Sequence, residues 1–461
     1  MTLPVGFQVE LDRHTRIVDG GRALVGGFPT RLIRLTARAQ RLLVGRTLCV
    51  RDAAGALLAD RLFDLGMANP VAHALPPPAD ARYTVVVPVR DRPRQLARLL
   101  SSVGEDHRVI VVDDASRHPE AVAAVVAEHG ASLVPLTTNV GPAGARNAGL
   151  RLVTTPFVVF VDSDIVLAPD TVPTLLRHFA DPAVAMAVPR ITGLPSAAPT
   201  WIERYENARS SLDLGAHPAG VRPGSPVSWA STACVVARVE ALADGFDERM
   251  RVGEDVDLCW RLLEQGRRVR YEPAAEAAHE HRARLGDWLL RKAVYGTGAQ
   301  PLAERHPRFI APAVFAPWSA AFVTALLAQR RWSAPVAGVV LVGVTVRIGR
   351  KLDGTRHPHR LAAHLTANGA LAALAQTSAL LNRHWWPLTV VGCVASRRVR
   401  RAAAVAALAD IALEYRRDRA DLDAVRYGVA RRLDDLAYGA GVWLSALKGR
   451  STAVLRPRVT R

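Results

Sequence analysis

The stretch FVVFVDSD, residues 157–164, determines the fold prediction because it joins a strand-forming run to two carboxylates. Its first five residues are all apolar and are β-branched or aromatic, which predicts a strand that is buried on both faces of a sheet. Asp162 and Asp164 follow directly and point to the same side of an extended segment. In open α/β sheets, ligands bind outside the carboxyl ends of the strands. We therefore predict that these two carboxylates line a binding site.

Similar apolar runs occur on both sides of this stretch and alternate with helical patterns. They are TVVVPV at 84–89, VIVVDD at 109–114 and VAMAVP at 184–189. This alternation is typical of strands joined by crossover helices. We predict an α/β fold in which a mostly parallel sheet, flanked by helices, spans residues 83–300.

The rest of the 461 residues suggests further domains on each side of this sheet. Residues 1–75 read as a small α/β unit, with Thr36 capping a helix over 37–44 and Asp52 capping a second helix. A proline-rich linker covers 76–82. The region 305–461 is predicted to be helical and partly apolar, since its stretches 309–328, 332–346, 361–382 and 385–396 contain no charged residue.

Composition limits the compartment and the partners. Glu10, Asp12 and Arg13 interrupt any early apolar run, which argues against a secretory signal. The cysteines show no CxxC spacing, so free thiols in a reducing compartment are expected at Cys49, Cys234, Cys259 and Cys393. The net charge of +18 predicts an anionic partner, which leaves phosphate substrates, a lipid surface or nucleic acid open.

The two aspartates after the apolar run are candidate metal ligands. Asp162 and Asp164 offer the hard oxygens that Mg²⁺ or Mn²⁺ prefers, and such an ion neutralises a diphosphate leaving group. His279 or His281, after the strand-like VRYEP at 269–273, would complete the coordination, with His279 preferred. The alternative interpretation is a solvated turn that binds no ion.

A second group of residues is predicted to hold a nucleotide donor. The group lies at the ends of the first two strands and in the glycine-rich segment NVGPAGARNAGL at 139–150, where close backbone approach is easy. Its members, together with Asp162, are Pro88, Arg90, Asp113, Asp114, Arg146 and Asn147. Arg146 offers planar donors to phosphate or base. The alternative for Asp113 and Asp114 is a purely local role in a turn or helix cap.

The segment GEDVDLCWR, residues 253–261, supplies the candidate catalytic acids Glu254 and Asp255. Asp255 is the preferred base, which would remove the proton from an attacking hydroxyl. Glu254 and Asp257 are also expected to cap the following helix, and Asp257 to pair with Arg261 four residues later. The alternative is that all three acids only decorate a helix N-terminus.

These motifs, in this order, resemble those of family 2 glycosyltransferases. TVVVPVRDR, VVDDAS, NVGPAGARNAGL, FVDSD and GEDVDLCWR carry the resemblance across residues 82–300. It implies an inverting enzyme of GT-A fold that uses a nucleotide sugar. Asp113 and Asp114 would then contact the nucleoside and Arg146 the donor. Asp162 and Asp164 would hold the metal diphosphate, and Asp255 would act as base.

The ends of the chain suggest an acceptor. Residues 1–75 resemble the winged-helix-like, peptide-binding chaperone domains of peptide-derived cofactor pathways. This N-terminal unit and RKAVYGTGAQPLAERHPRF at 291–309 also make the whole chain resemble a glycosyltransferase of such a pathway. It implies transfer of glucose from UDP-glucose to a peptide-derived redox cofactor precursor, building a β-1,4-linked oligosaccharide. A polyprenyl-phosphate or cell-wall glycan acceptor is the alternative.

The C-terminal region predicts association with anionic membrane lipid. Stretches 309–328 and 361–382 reach the roughly 20 residues of a spanning helix. The basic clusters that follow 332–346 and 385–396 would lie on the cytoplasmic side, which places the catalytic domain there too. A soluble helical bundle that lies on lipid is the alternative. A nucleic-acid-binding protein is a further alternative, but the basic residues cluster beside apolar segments rather than among aromatics, so no nucleic acid partner is expected.

Overall fold

A computed structural model describes residues 2–104, 107–352 and 355–460. The chain divides into two compact units. The first comprises Met1–Ala197 and Ser210–His281, and the second comprises Ala198–Arg209 and Arg282–Arg461. The domain boundaries inferred from the sequence remain predictions.

The N-terminal part of the first unit contains short strands and two helices. Its elements are β1 (Gln8–Leu11), β2 (Arg16–Val18), β3 (Ala23–Gly26), β4 (Arg31–Arg34), α1 (Ala37–Leu42), β5 (Leu43–Val44), β6 (Thr47–Cys49), α2 (Ala53–Asp64) and β7 (Ala68–Pro70). The strands form two antiparallel sheets, in the orders β5-β6-β1-β7 and β2-β3-β4. The predicted mixture of strands and helices is thereby observed in this part, while its separate domain status and its winged-helix character remain predictions.

Both predicted helix caps in this part are confirmed. Thr36 Oγ1 accepts a hydrogen bond from the amide of Ala39, and an Asp52 carboxylate oxygen accepts one from Gly55. Each bond satisfies an amide that would otherwise lack a partner in the first helical turn. The first helix is shorter than the predicted 37–44, because its last two residues instead pair with β6 as the strand β5.

The central part carries the large sheet. Its elements are β8 (Tyr83–Val89), α3 (Pro93–Val103), β9 (Arg108–Asp113), α4 (Pro119–Glu128), β10 (Ser132–Pro135), α5 (Gly141–Leu150), β11 (Phe157–Val161), β12 (Ile165–Leu167), α6 (Thr171–Arg177), β13 (Val184–Gly193), α7 (Trp201–Arg209), β14 (Ala219–Gly220), β15 (Cys234–Arg238), α8 (Glu254–Glu264) and β16 (Arg268–His279). The strand order is β10-β9-β8-β11-β15-β13-β16-β12, and β14 also pairs with β16. The predicted strands are confirmed, with small shifts of most bounds, but β13 and β16 extend four and six residues beyond the predicted ends.

The direction of the strands explains where the polar residues gather. Strands β10, β9, β8 and β11 are mutually parallel, so their carboxyl ends lie at one edge of the sheet. Strand β15 runs antiparallel to β11, and β13 and β16 run parallel to each other. The predicted α/β fold is confirmed, and the parallel strands bring the ends of β8, β9 and β11 side by side.

Helix α5 lies close against the parallel strands because it carries a glycine where it meets them. A Cβ atom added at Gly149 would lie 2.3 Å from Cγ1 of Val86 in β8, which leaves no room for a side chain. Val86, Val159 and Leu99 are buried in the sheet and its flanking helices. The close approach fixes the position of α5, and with it the side chains that α5 presents at the sheet edge.

The N-terminal part contacts the sheet through two arginines of β16, Arg268 and Arg270. Nη1 of Arg268 lies 2.9 Å from both Oδ1 of Asp60, in α2, and Oδ2 of Asp181. The guanidinium of Arg270 lies over the ring of Phe63, with its central carbon 4.2 Å from the ring centroid. Burial lowers the pKa of Arg270 to about 10, although Asp181 opposes this change. These contacts make residues 1–75 part of the first unit.

The second unit is helical. Besides α7 it contains α9 (Leu285–Thr297), α10 (Ala299–Arg305), β17 (Val314–Phe315), α11 (Pro317–Ala328), α12 (Ser333–Lys351), α13 (Pro358–Ala379), α14 (Trp386–Ala395), α15 (Arg397–Asp418), α16 (Ala424–Lys448) and β18 (Arg458–Val459). The predicted helical region is confirmed. Ion pairs join α7, α9 and α16, where Nζ of Lys292 lies 2.9 Å from Glu206 and 3.7 Å from Asp434.

Two of the apolar stretches form helices of only 12 and 10 residues, α11 and α14, which are shorter than a spanning helix requires. The charge-free stretch 309–328 forms a helix only from Pro317, where a proline at the first helical position begins α11. In the described part of the chain, one helix, α12, is long and apolar enough to cross a membrane by length and composition. The stretch 361–382 lies within the helical segment from α13 onward, but it does not meet that criterion.

Candidate functional site

The acidic turn after β11 lies at the edge where the parallel strands end. The amide of Asp162 donates to the carbonyl of Ala233, which continues the pairing with the strand β15. The carbonyl of Asp162 then accepts from the amide of Ile165, so the chain turns tightly through Ser163 and Asp164. The Asp162 side chain is 34% exposed, whereas Asp164 is buried. This turn therefore presents one carboxylate to solvent and one to the protein.

Arg146 connects this turn to the second acidic motif. It projects from α5, and its Nη2 donates to Oδ1 of Asp162 at 2.6 Å while its Nη1 donates to Oε1 of Glu254 at 3.0 Å. Its side chain is only 4% exposed, and its guanidinium lies 5.5 Å from the ring centroid of Phe246. Burial alone lowers the pKa of Arg146, but the charges of Asp162 and Glu254 raise it above the usual range. A permanent positive charge thus holds two predicted motifs together.

The carboxylate of Asp164 contacts Arg92 and His279. Nη1 of Arg92 donates to Oδ2 of Asp164, and Nε2 of His279 lies 3.6 Å from the same oxygen. Burial raises the pKa of this carboxyl, but the hydrogen bond and charge of His279 and the charge of Arg92 outweigh it and hold the pKa below its usual range. Asp164 is therefore ionised at neutral pH, as a metal ligand must be.

The residues predicted as metal ligands fit a hard divalent ion by their chemistry. Asp162 and Asp164 supply oxygens, and Nδ1 of His279 is buried without a hydrogen-bond partner among the described residues. Within residues 2–104, 107–352 and 355–460, no group of three or more His, Cys, Asp or Glu side chains is arranged to hold a metal. The two carboxylates are instead paired with Arg146 and Arg92. Metal binding at these residues remains a prediction.

Asp255 has the properties of a base that works near neutral pH. It is the second residue of α8 and is half-buried beside Glu254. Burial, and then the negative charge of Glu254, raise the pKa of Asp255 to about 7, and the charge of Asp162 acts in the same direction. Its bond from the Val256 amide and the charge of Arg146 oppose this rise. The negative charge of Asp162 therefore acts on Asp255, and their place in one active site remains a prediction.

The conformation at the start of α8 sets the positions of its three acids, Glu254, Asp255 and Asp257. Gly253 has φ of 84°, a left-handed conformation that favours glycine, and the helix begins at the next residue. Oδ2 of Asp257 accepts from Nε of Arg261 at 2.8 Å, as predicted from the four-residue spacing. Asp257 is paired with Arg261 and Glu254 with Arg146. Asp255 forms no ion pair among the described residues, which makes it the acid best suited to act on a substrate.

The aspartates predicted to bind the nucleoside lie together at the end of β9. Both are buried. Oδ1 of Asp113 accepts from Ser116, at 3.1 Å from its amide and 2.5 Å from its hydroxyl. Asp114 accepts from Nδ2 of Asn139 and from the amides of Val140 and Gly141. Asp114 thus shapes the loop that leads into α5, and nucleoside contact by either carboxylate remains a prediction.

The end of β8 is tied to the same loop. Asp91, which follows Arg90, has a left-handed backbone, with φ of 57°. Its amide donates to the hydroxyl of Ser116, and its carboxylate accepts from the amide and Nε of Arg117. Arg90 is exposed and Pro88 is half-buried at this edge. The exposed Arg90 side chain can therefore contact an anionic ligand at the carboxyl ends of β8 and β9.

The side chain of Asn147 contacts the segment that precedes α8. Its Nδ2 donates to the carbonyl of Phe246 and to a carboxylate oxygen of Glu248, both at 2.9 Å. Its Oδ1 accepts from the amide of Phe246 at 2.8 Å. Asn147 thus anchors the segment that leads to the candidate base, and its contact with the donor remains a prediction.

Arg92, Asn139 and Arg251 were not among the site residues predicted from the sequence. Nη1 of Arg251 donates to Oδ1 of Asn139 at 3.1 Å, which joins the loop before α5 to the segment before α8. Arg92 was visible as a second arginine after β8, within the quoted motif TVVVPVRDR. Asn139 opens the quoted glycine-rich segment, but no pattern indicated that Arg251 would reach it.

Comparison with known families agrees with this geometry. Residues 84–232 match the family described as Glycosyl transferase family 2. The matched segment begins in β8 and ends just before β15, so it contains the ends of β8 and β9, helix α5 and the acidic turn after β11. The candidate base in α8 lies beyond it.

Relatives extend the similarity over the whole chain. A pre-mycofactocin glycosyltransferase from Mycobacterium tuberculosis is 42% identical over 470 residues, which covers 99% of this chain and 98% of the relative. An N-acetylglucosaminyltransferase from Mesorhizobium japonicum is 30% identical over 227 residues, which covers 45% of this chain and 53% of that protein. A mannosyltransferase structure from Pyrobaculum calidifontis, with GDP-Man and Mn²⁺, covers 65% of this chain and 88% of its own at 22% identity, but its TM-score of 0.38 supports no conclusion. The family match and the full-length similarity together show that this chain is a glycosyltransferase and belongs to glycosyl transferase family 2.

Proposed function

We propose that the chain transfers a hexose from a nucleotide sugar to an acceptor hydroxyl, with inversion at the anomeric carbon. The observation that carries this proposal is the bridge from Arg146 to both Asp162 and Glu254. It brings the turn predicted to hold the diphosphate next to the helix that begins with the candidate base. The two chemical tasks of the reaction, departure of the nucleotide and activation of the hydroxyl, then fall to one edge of the sheet.

Asp255 accepts the proton of the acceptor hydroxyl as its oxygen attacks the anomeric carbon. A carboxylate with a pKa of about 7 binds that proton more readily than an ordinary aspartate does. The bond from the anomeric carbon to the diphosphate breaks, and its electrons leave with the nucleotide. Because one attack occurs from the side opposite the leaving group, the configuration inverts. Glu254 supports this step by holding Arg146 and by raising the pKa of its neighbour.

The leaving diphosphate requires positive charge at the other side of the sugar. Asp162, Asp164 and His279 are the residues that would hold Mg²⁺ or Mn²⁺, which when bound neutralises the phosphate oxygens. Arg90 and Arg92 lie at the end of β8, on the same edge of the sheet. Arg92 pairs with Asp164, and it would contact phosphate once a metal takes over that carboxylate.

The acceptor is proposed from the full-length relative, whose name states that it acts on pre-mycofactocin. Its 42% identity over nearly all of both chains includes the N-terminal part, which resembles peptide-binding chaperone domains. We propose glucose from UDP-glucose as donor and a β-1,4-linked oligosaccharide as product. Family membership favours this enzyme over the nucleic-acid-binding alternative.

The test is a donor and acceptor screen with the full chain. UDP-glucose, UDP-N-acetylglucosamine, GDP-mannose and a dTDP-sugar are each supplied with pre-mycofactocin, with a polyprenyl phosphate or with no acceptor. Nucleotide release and product mass are measured, and proton NMR of the product gives its anomeric configuration. We expect hexose addition to pre-mycofactocin from UDP-glucose with a β linkage. Transfer to the polyprenyl phosphate alone would replace the proposed acceptor, and an α-linked product would contradict inversion.

Removing the negative charges of the acidic turn should abolish metal-dependent nucleotide binding. Asp162→Asn with Asp164→Asn keeps oxygens that accept from Arg146 and Arg92 but removes the charge that a cation needs. Titration calorimetry with UDP, with and without Mn²⁺, should show metal enhancement for the unchanged protein and none for the double variant. The exposed Asp170, in the loop before α6, provides the control Asp170→Asn, which should bind normally. Equal UDP affinity of the unchanged protein with and without Mn²⁺ would contradict the metal assignment.

A further inference from the structure

The second unit exposes apolar side chains in rows rather than singly. On α12, the residues that face solvent between Arg331 and Arg347 are Trp332, Ala334, Pro335, Val336, Gly338, Val339, Val342, Gly343 and Val346. Val339 and Val342 are 72% and 64% exposed. The opposite side of α12 packs against α11 and α13 through Ala337 and its neighbours. A contiguous apolar surface of this kind marks an interaction site.

Helix α14 adds a second row. Leu388, Val391 and Val394 lie three residues apart, so they share one side of the helix, and all are more than half exposed. Nε2 of Gln329, just after α11, donates to the carbonyl of Arg398 in α15 at 2.7 Å. This bond places the turn before α12 beside the turn after α14. The exposed rows of α12 and α14 are called the apolar face below.

Basic residues lie at both ends of α12, which argues against a helix that spans a membrane. The near end has exposed Arg330 and Arg331, beside the arginines that open α15, and the far end has exposed Arg347, Arg350 and Lys351. Residues 332–346 between them contain no charge and extend about 22 Å at the rise of an α-helix. The hydrocarbon core of a bilayer is about 30 Å thick, so this uncharged segment is shorter than the core and would cross it only at the cost of thinning the bilayer.

We propose that the apolar face lies in the plane of an anionic lipid bilayer, at the cytoplasmic leaflet. The valines of α12 would enter the boundary between headgroups and acyl chains, and the arginines at both ends would contact lipid phosphates. Trp332 at the boundary of the apolar segment suits that depth. The choice of lipid over a protein partner follows from charge: the cations flank the apolar rows, and the cytoplasmic leaflet carries the negative surface potential. Binding to lipid in this way does not depend on the identity of the acceptor or the donor.

The test is flotation of the full chain with vesicles of phosphatidylcholine alone, or of equal parts phosphatidylcholine and phosphatidylglycerol. We expect binding to the mixed vesicles that alkaline carbonate releases. Val339→Asp with Val342→Asp should weaken binding at least about tenfold, since it places two charges on the side of α12 that would enter the bilayer. Val44→Asp, at a valine of the N-terminal part that is 74% exposed, is the matched control and should bind as the unchanged protein does.

A second variant separates loss of binding from loss of folding. Arg347→Glu with Arg350→Glu leaves the apolar face intact and should weaken binding to the mixed vesicles about fivefold or more for each site. Its weak binding to phosphatidylcholine alone should not change. Circular dichroism of all variants should match that of the unchanged protein, because the altered side chains are exposed.

Several results would overturn the proposal. Resistance to alkaline carbonate would show that the chain spans the bilayer. Equal weakening by Val44→Asp would show that the apolar face has no special part. Failure of the unchanged protein to float with mixed vesicles would exclude lipid. Sedimentation would then test for a dimer. If the unchanged protein is a dimer and the double variant Val339→Asp with Val342→Asp is a monomer, the partner is a second copy of the chain.

Discussion

Asp255→Asn is expected to lower kcat by about 10²–10⁴-fold while leaving the affinity for the nucleotide sugar nearly unchanged. Asparagine has the shape of aspartate but cannot accept the acceptor's proton. Asp162, Asp164 and the arginines of the sheet edge are untouched by the change, so the donor still finds its partners. Single-turnover rates measure the transfer step, and calorimetry with the donor measures binding.

The pH dependence gives a second readout for the same residue. The base must be deprotonated, and the pKa of Asp255 is about 7, so kcat/KM should fall about tenfold for each pH unit below 7. The folded-state pKa lies above the ordinary value of 3.8, so ionisation of this group disfavours the folded state. Stability from this residue is therefore lost as pH rises from about 4 to about 7. The asparagine variant should melt at a higher temperature than the unchanged protein at pH 8 and at the same temperature near pH 4.

Asp244→Asn is the control for these measurements, since Asp244 is exposed in the segment that precedes α8. Its rate, pH profile and melting temperature should match those of the unchanged protein. Loss of donor affinity in Asp255→Asn, or a pH profile that it leaves intact, would show that another group removes the proton.

Arg146→Met is expected to destabilise the first unit by about 3–5 kcal/mol, as removal of one partner from a buried ion pair does. Methionine fills much of the space but leaves Asp162 and Glu254 facing each other without a cation. The melting temperature should fall by roughly 10 °C, given about 2–4 °C per kcal/mol for a unit of this size. Because the charge of Arg146 lowers the pKa of Asp255, residual activity should shift to higher pH.

Arg151→Met is the matched control, because Arg151 lies exposed at the end of the same helix. It should change neither the melting temperature nor the pH profile. An Arg146→Met protein as stable and active as the unchanged one would contradict the role of this bridge. A loss of stability without the shift in pH profile would limit Arg146 to a structural part.

The central sheet could be predicted from sequence because its signals are local. The runs at 84–89 and 157–161 are apolar on both faces, which suits only a strand that is covered on both sides. Strand β16 was underestimated, with 269–273 predicted and Arg268–His279 observed. Its second half consists mostly of alanines around Glu276, which do not form a typical strand pattern. Pairing with β12 and β13 holds this half in an extended conformation. Such pairing is a long-range property that a local pattern does not contain.

The residues of the candidate site could be predicted from sequence, but the ion pairs and hydrogen bonds that they form could not. Aspartates after strands and acids at a helix start are visible in sequence, and the sheet places them at one edge. That Arg146 would pair with Glu254 as well as Asp162 depends on contacts across 108 and 16 residues of chain. Asn147 and Asp114 were selected for their polarity, yet their polar atoms are engaged by neighbouring backbone.

The C-terminal region was correctly predicted to be helical, but the bounds of its helices were not. Freedom from charge suggested a long helix over 309–328, but prolines and the short strand β17 delay its start to Pro317. Helix α12, whose Val339 and Val342 are 72% and 64% exposed, includes most of the stretch 332–346, which is shorter than the roughly 20 residues of a spanning helix. Exposure depends on packing against α11 and α13, which composition does not reveal.

Helix α5 gives the enzyme a constraint on how its specificity can change. Arg146 and Asn147 join it to the segment that ends in the candidate base, so any substitution that tilts the helix displaces that base as well. Redesign toward another nucleotide sugar should therefore begin at Arg90 and Ser116, on the loops that end β8 and β9. Alterations there can retune recognition while the reacting groups stay in alignment.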